Sequence, residues 1–103
     1  MTTTTDIRDV AGELSIVERA DQHRYELRVD GEVRGLAVYC DDGLVRAIVH
    51  TEIDERVQGR GLAGELIRQA LADIDRDGRR VQPACGYAAF YISRHPEFQH
   101  LLA

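Results

Sequence analysis

Two Asp-Gly dipeptides, at positions 30–31 and 42–43, constrain the fold of this chain more than any other feature. Asp-Gly is typical of tight β-hairpin turns, because glycine adopts positive φ without steric cost. Apolar and polar residues alternate before the first turn, where Tyr25, Leu27 and Val29 stand between charged residues. The pattern predicts an antiparallel meander with strands at about 14–19, 24–29, 33–40 and 44–53.

After residue 58 the apolar spacing changes from two residues to that of a helix. Six residues fall on one helical face, namely Leu62, Leu66, Ile67, Ala70, Leu71 and Ile74. Asp77-Gly78 is a typical helix end, and a short strand is expected at 80–82. A second helix follows from about Gly86, with Tyr87, Phe90 and Tyr91 on one face, and Pro96 ends it.

The predicted fold class is therefore α/β in the α+β sense. It combines a mixed, mostly antiparallel sheet with one parallel β-α-β crossover and two main helices. Such crossovers are almost always right-handed. The sheet is expected to open where the parallel pair begins.

Length, charge and cysteine content limit the classes of protein to which this chain can belong. The 103 residues suit one domain, which we place at 9–103 behind a disordered tail at 1–8. The net charge of -5 disfavours a nucleic-acid binder, since phosphate backbones require a basic face. We find no membrane span or signal peptide, and the four histidines have no metal-site spacing. Two cysteines indicate a reducing cytoplasm, and we expect Cys40 in the core. We expect a monomer or weak dimer.

The segment Gly59-Arg60-Gly61-Leu62-Ala63-Gly64 fits the G-x-G-x-x-G pattern. A dinucleotide fold requires repeated βαβ units, and this chain has room for one crossover only. The placement between a strand and a helix still suits a pyrophosphate, because the first amides of a helix have no partners within it. On this pattern alone, a plain tight turn is an equal alternative.

Further residues give a resemblance to a family. Arg56-Val57-Gln58-Gly59-Arg60-Gly61 fits the [QR]-x-x-G-x-[GA] acyl-CoA loop of the GNAT acetyltransferases. The stretches HTEIDERVQGRGLAGELIRQAL and VQPACGYAAFYISRHPEF resemble the minimal single-domain (YjdJ-type) members. The resemblance spans about residues 14–101. One departure is Gly86, where the family often has proline.

The resemblance implies an acetyl-CoA-binding domain. The pantetheine arm would pair with the end of the 44–53 strand, around Ile53. The pyrophosphate would lie on the amides from Gln58 to Ala63, with Arg56 and Arg60 adding positive charge. The residues expected to contact the cofactor are Ile53, Arg56, Gln58, Gly59, Arg60, Gly61, Leu62, Ala63 and Tyr91. Tyr87 or Tyr91 would donate a proton to the leaving CoA thiolate, unless both tyrosines only pack.

Cys85 is the first candidate catalytic residue. It precedes a helix, and a thiol at a helix N-terminus forms the nucleophilic thiolate more easily than an ordinary thiol. It would either carry the acetyl group itself or only line the pocket while an amine attacks directly. A small buried side chain without chemistry is the third possibility.

His50 and Glu52 are the other two catalytic candidates. They lie two residues apart on one strand, and regular alternation places them on the face of Leu44, Arg46 and Ile48. One of them would remove a proton from an incoming amine, or both form a solvated strand face.

The predicted function is an acetyl-CoA-dependent N-acetyltransferase that acts on a small-molecule or protein amine. The alternatives are a non-catalytic acyl-CoA-binding or interaction module, and a domain whose glycine loop binds nothing.

Overall fold

The computed structural model describes residues 13–103, so the predicted tail at 1–8 lies outside the described residues. Five strands and two α-helices follow in the predicted order. They are β1 (Leu14–Arg19), β2 (Arg24–Val29), β3 (Glu32–Asp42), β4 (Val45–Ile53), α1 (Leu62–Arg76), β5 (Arg80–Pro83) and α2 (Gly86–Ser93). Three short 3-10 turns stand at Ala20–Gln22, Glu55–Val57 and Pro96–Leu101.

The strands form one sheet in the order β1-β2-β3-β4-β5. The first four pair antiparallel with their neighbours, and β5 pairs parallel with β4 after the α1 crossover. The predicted mixed sheet is therefore confirmed. Glycine at positive φ closes both predicted hairpins, with Gly31 at 83° and Gly43 at 62°.

Both helices pack on one face of the sheet. The predicted apolar face of α1 is confirmed, since all six of its residues are fully buried. They meet Tyr25, Leu27, Ala37 and Ile48 from the strands. Each large apolar side chain buried here contributes about 1.5–3 kcal/mol of transfer free energy. This burial fixes the N-terminus of α1 close to the C-terminal end of β4.

A β-bulge in β4 changes which side chains face the helices. Tyr39 pairs with Ile48 but Val38 pairs with His50, so Val49 is an extra residue. Before the bulge, Arg46 and Ile48 face the helices and are buried. Beyond it, Thr51 pairs with buried Ala37 and takes that face. The predicted common face of His50, Glu52, Arg46 and Ile48 is therefore wrong.

One smaller expectation is also wrong. Cys40 is exposed, because it pairs with Ala47 on the sheet face that carries no described helix. On α2, Ala88, Tyr91 and Ile92 are buried, whereas Phe90 is 55% exposed. This helix ends at Ser93, three residues before the proline that was expected to stop it.

The start of β4 carries a buried cation. The Arg46 guanidinium donates to Asp41 at 2.7 and 2.9 Å, to the Tyr25 hydroxyl at 2.8 Å and to Glu18 at 3.2 Å. Its carbon lies 3.7 Å from the centre of the Tyr39 ring. Two acids and two aromatic rings thus balance this charge at the end of β4 remote from the glycine loop.

Residues 13–103 contain neither a cluster of metal ligands nor a membrane-spanning helix. No three His, Cys, Asp or Glu side chains of this part of the chain group closely enough to hold a metal ion. No described helix is long and apolar enough to span a membrane.

Candidate active site at the opening between β4 and β5

The parallel pair separates halfway along β4. Among the described residues, β5 pairs with β4 only over Val45–Ile48. The Ala84 amide then donates to the Ile48 carbonyl at 2.9 Å, and α2 begins two residues later. Beyond this point the stretch from Val49 to Ile53 has β3 on one side and no described strand on the other. The expected opening in the sheet is therefore present at the bulge.

Cys85 lies at this point of separation, as the N-cap residue of α2. Its half-buried Sγ accepts a hydrogen bond from the Ala88 amide at 3.4 Å. The Thr51 hydroxyl lies 3.3 Å from the same sulfur. Two polar hydrogens can therefore point at one sulfur, an arrangement that suits a thiolate.

Thr51 was missed in the sequence. Regular alternation assigned it to an apolar face with Val45 and Ala47, and only the bulge shows that it faces the helices. The sequence signal available for it was its position between the two catalytic candidates His50 and Glu52.

His50 and Glu52 lie on the opposite face of β4 from Thr51. His50 pairs with Val38 and Glu52 with Leu36, on the face that carries no described helix. Their side chains are 57% and 61% exposed, and His50 Nε2 lies 2.8 Å from Glu52 Oε1. The structure thus brings these two predicted residues together, but on the other side of the strand from Cys85.

The loop before α1 leaves a helix end open. Gly59 and Gly61 have φ values of 81° and 75°, and a Cβ on either would meet nothing within 4 Å. Gly61 is the N-cap and offers no side-chain hydrogen bond to the helix. The Glu65 amide donates to the Gly61 carbonyl at 3.2 Å and starts the helical pattern. The preceding amides, including those of Leu62 and Ala63, therefore point out of the helix end.

Side chains hold this loop in place. The Leu62 side chain is fully buried, so only its backbone is available to a ligand. Gln58 Nε2 donates to the Ile53 carbonyl at 2.9 Å and ties the loop to the end of β4. The Arg56 side chain, 75% exposed, donates to Asp54 at 3.0 Å. These hydrogen bonds from Arg56 strongly lower the pKa of Asp54.

A cleft of about 400 Å³ adjoins the loop on the side of the β2–β3 hairpin. Its lining comprises Val29, Asp30, Glu32, Arg34, Arg56, Val57 and Arg60. Two of the predicted cofactor contacts, Arg56 and Arg60, thus border a cleft of mixed charge.

Two tyrosines of α2 lie over the first turn of α1. A methyl group at Gly64 would come within 3.6 Å of both the Tyr87 hydroxyl and the Tyr91 ring. The Tyr91 side chain is 8% exposed and stacks on His95 at 3.8 Å. Burial raises the pKa of both tyrosines, so each keeps its proton at neutral pH. Both tyrosines therefore keep a hydroxyl that can donate a hydrogen bond, and that of Tyr87 lies beside the first turn of α1.

Comparison with known proteins agrees with this geometry. A GCN5-like candidate N-acetyltransferase from Staphylococcus aureus, solved by NMR, superposes with a TM-score of 0.69 at 14% identity over 87% of this chain and 88% of that one. A GNAT family acetyltransferase from Elizabethkingia anophelis, crystallised with acetyl-CoA bound, gives a TM-score of 0.54 at 16% identity over 73% of this chain and 56% of that one. No curated protein shows significant sequence similarity to the chain.

These two likenesses confirm the predicted fold class. The family follows from a sequence model described as GCN5-related N-acetyl-transferase, which matches residues 24–101, most of the chain. The predicted family, enzyme class and cofactor are thereby confirmed. The chain belongs to the GCN5-related N-acetyltransferases, the acetyl-CoA-dependent family that its glycine loop and opened sheet had indicated.

Proposed function

We propose that this protein transfers the acetyl group of acetyl-CoA to a primary amine through the thiol of Cys85. One observation carries the proposal: the Cys85 sulfur lies where β4 and β5 separate, accepts a hydrogen bond from the Ala88 amide and lies 3.3 Å from the Thr51 hydroxyl. A nucleophile at that point lies beside the strand edge along which we place the pantetheine arm and its thioester.

The chain offers the parts that acetyl-CoA requires. The amides from Gln58 to Ala63 would hold the pyrophosphate, because they meet the positive end of the α1 dipole. Gly59 and Gly61 leave no Cβ to obstruct that approach. Arg56 and Arg60 would add positive charge, and the edge of β4 near Ile53 would pair with the pantetheine amides. Tyr91 would pack against the cofactor from α2.

The chemistry runs in two balanced steps. In the first, the Cys85 thiolate attacks the acetyl carbonyl carbon, a new carbon–sulfur bond forms, and the bond to the CoA sulfur breaks. The CoA thiolate leaves and takes a proton, a role that we assign to the Tyr87 hydroxyl. In the second, a neutral amine attacks the acetyl carbon on Cys85, a carbon–nitrogen bond forms, and the bond to the Cys85 sulfur breaks and restores the thiolate. The proton that the amine nitrogen loses returns to the Tyr87 oxygen.

The His50–Glu52 pair would prepare the amine. Both side chains border the open part of β4 from the helix-free face, so an amine that enters through the opening would pass them. A protonated amine must lose a proton before it attacks, and an exposed imidazole–carboxylate pair can accept it. The acceptor, a small molecule or a protein lysine, is thus proposed to approach from the face opposite α1 and α2.

The chain offers a matched control for the test. The other cysteine, Cys40, is exposed near the C-terminal end of β3. We expect Cys85→Ala to reduce amine-dependent CoA release, measured by chromatography, by about 100-fold or more, as for a lost nucleophile. Cys40→Ala should keep the wild-type rate. Equal turnover in wild type and Cys85→Ala would exclude the covalent route and leave direct attack.

One observation favours a second candidate, a module that binds acyl-CoA without turnover. The predicted bases His50 and Glu52 contact each other and lie on the other face of β4 from Cys85. A thermal shift that grows with acetyl-CoA concentration, together with an unmodified Cys85 and no CoA release with any amine, would support this candidate. The proposed compartment for either function is the cytoplasm, where both thiols stay reduced.

A further inference from the structure

We propose that Thr51 is a positioning residue that orients Cys85 and stabilises its thiolate for capture of the acetyl group. The inference rests on the proposed function, and it assigns a role to the β4 residue whose hydroxyl contacts the reactive sulfur. Thr51 Oγ1 and Cys85 Sγ are 3.3 Å apart although 34 residues separate them in the chain.

The bulge at Val49 creates this contact. Without the extra residue, the strand would keep its alternation and Thr51 would face away from Ile48. With it, Thr51 lies in register with buried Ala37 and faces α2 across the opening. Bulges often re-aim one side chain next to an active site, and Thr51 is the side chain re-aimed here.

The contact has a direction once the thiol ionises. In the neutral state either the hydroxyl or the thiol can donate. A thiolate has no proton, so only the Thr51 hydroxyl can donate to it, and a hydrogen bond to a charged group is stronger than a neutral one. The Ala88 amide donates to the same sulfur from α2 at 3.4 Å. The two donors come from β4 and α2, so they also fix the position of Cys85 across the opening.

The side chain itself is suited to this task. A β-branched residue has few χ1 rotamers in a strand, so the Thr51 hydroxyl is held in one position and does not exchange among several. Valine has nearly the same shape and removes only the hydroxyl, whereas serine keeps the hydroxyl and loses the methyl. The pair Thr51→Val and Thr51→Ser therefore separates hydrogen bonding from packing.

The test uses the full chain with Cys40→Ala, so that Cys85 is the single thiol. Alkylation by iodoacetamide at neutral pH reports the reactivity of Cys85 without any cofactor. A hydrogen bond to a charged sulfur is worth a factor of about ten or more, and the lower nucleophilicity of the hydrogen-bonded sulfur offsets about half of that effect on the logarithm of the alkylation rate. We expect Thr51→Val to slow alkylation by about three- to tenfold and Thr51→Ser to stay within about twofold of wild type.

The second readout is the rate at which acetyl-CoA acetylates Cys85, followed by intact mass. It should fall for Thr51→Val and recover for Thr51→Ser, while the Kd for acetyl-CoA stays unchanged. A merely structural role would instead shift the melting temperature and the Kd together. Thr51→Ala serves as the third variant if Thr51→Val does not fold.

The two readouts separate failure of this inference from failure of the proposed function. Alkylation at the wild-type rate in Thr51→Val, or in Thr51→Ala if the valine variant does not fold, overturns the role of Thr51, whatever acetyl-CoA does. If wild type is never acetylated, the covalent function fails, and the alkylation series alone decides whether Thr51 activates the thiol.

Discussion

Replacement of Gly61 by aspartate would place a carboxylate at the open end of α1, where we propose that the pyrophosphate binds. Gly61 has a φ of 75°, so any side chain there is strained. Gly78 offers a matched control at the other end of the same helix: its φ is 74°, and a Cβ on it also meets nothing within 4 Å. Gly61→Asp and Gly78→Asp thus introduce the same residue, strain and charge at opposite ends of α1.

Both variants should lose stability, and Gly78→Asp should lose more, because a carboxylate is favourable at the positive end of the α1 dipole and unfavourable at its negative end. A left-handed conformation costs an ordinary residue about 1–2 kcal/mol, and aspartate lies at the lower end of this range. For a domain of this size, about 1 kcal/mol lowers the melting temperature by about 4–8 °C. We expect a fall of about this size in both variants, the larger one in Gly78→Asp.

Only Gly61→Asp should lose affinity for the cofactor. Two like charges about 4 Å apart repel by about 4 kcal/mol at the effective dielectric constant of a protein surface. Because 1.4 kcal/mol corresponds to a factor of ten, we expect the Kd for CoA to rise by about 100-fold or more. Isothermal titration of both variants with CoA measures it. Equal Kd values for Gly61→Asp and Gly78→Asp would show that the pyrophosphate binds elsewhere.

Two further predictions concern stability. Arg46→Met removes a buried cation from its acidic partners and should lower the free energy of unfolding, measured in urea, by about 3–5 kcal/mol. Arg68→Met, which breaks an exposed pair with Glu65, should lower it by less than about 1 kcal/mol. Equal losses in the two variants would contradict the structural role of Arg46. Hydrogen bonds from Arg28 lower the pKa of buried Glu26 below its value in the unfolded chain, about 4.3. The charge on Glu26 therefore stabilises the fold above about pH 4.3, and this contribution is lost as the pH falls through the lowered pKa of the folded state. The stability difference between wild type and Glu26→Gln should therefore shrink in acid, and a difference that is constant with pH would refute this linkage.

Most of the fold could be predicted from local patterns. Asp-Gly turns report backbone conformation directly, and the change from alternation to helical spacing marks α1 without any tertiary information. The glycine loop was also predictable, because Gly59 and Gly61 both adopt the positive φ that only glycine tolerates well. These signals lie within a few residues of the structure that they determine.

The arrangement of the site could not be predicted in the same way. Apolar and polar residues alternate regularly in the run VHTEI, so its sequence gives no sign of a bulge. The bulge appears only in the pairing of β4 with Val38 and Tyr39 of β3. For this reason His50 and Glu52 were assigned to the same face as Arg46 and Ile48, and Thr51 was overlooked. The burial of Arg46 was hidden too, since its partners come from three other strands.

The central claim is that acetyl passes from CoA to an amine through Cys85. The most direct measurement mixes the Cys40→Ala variant with acetyl-CoA, quenches the reaction over time, and locates the acetyl group by mass spectrometry of the digested protein. The account predicts acetyl on the peptide that contains Cys85, and its loss when a primary amine is added, matched by an equal amount of acetylated amine. An unmodified Cys85 at every time point while acetylated amine accumulates would contradict it.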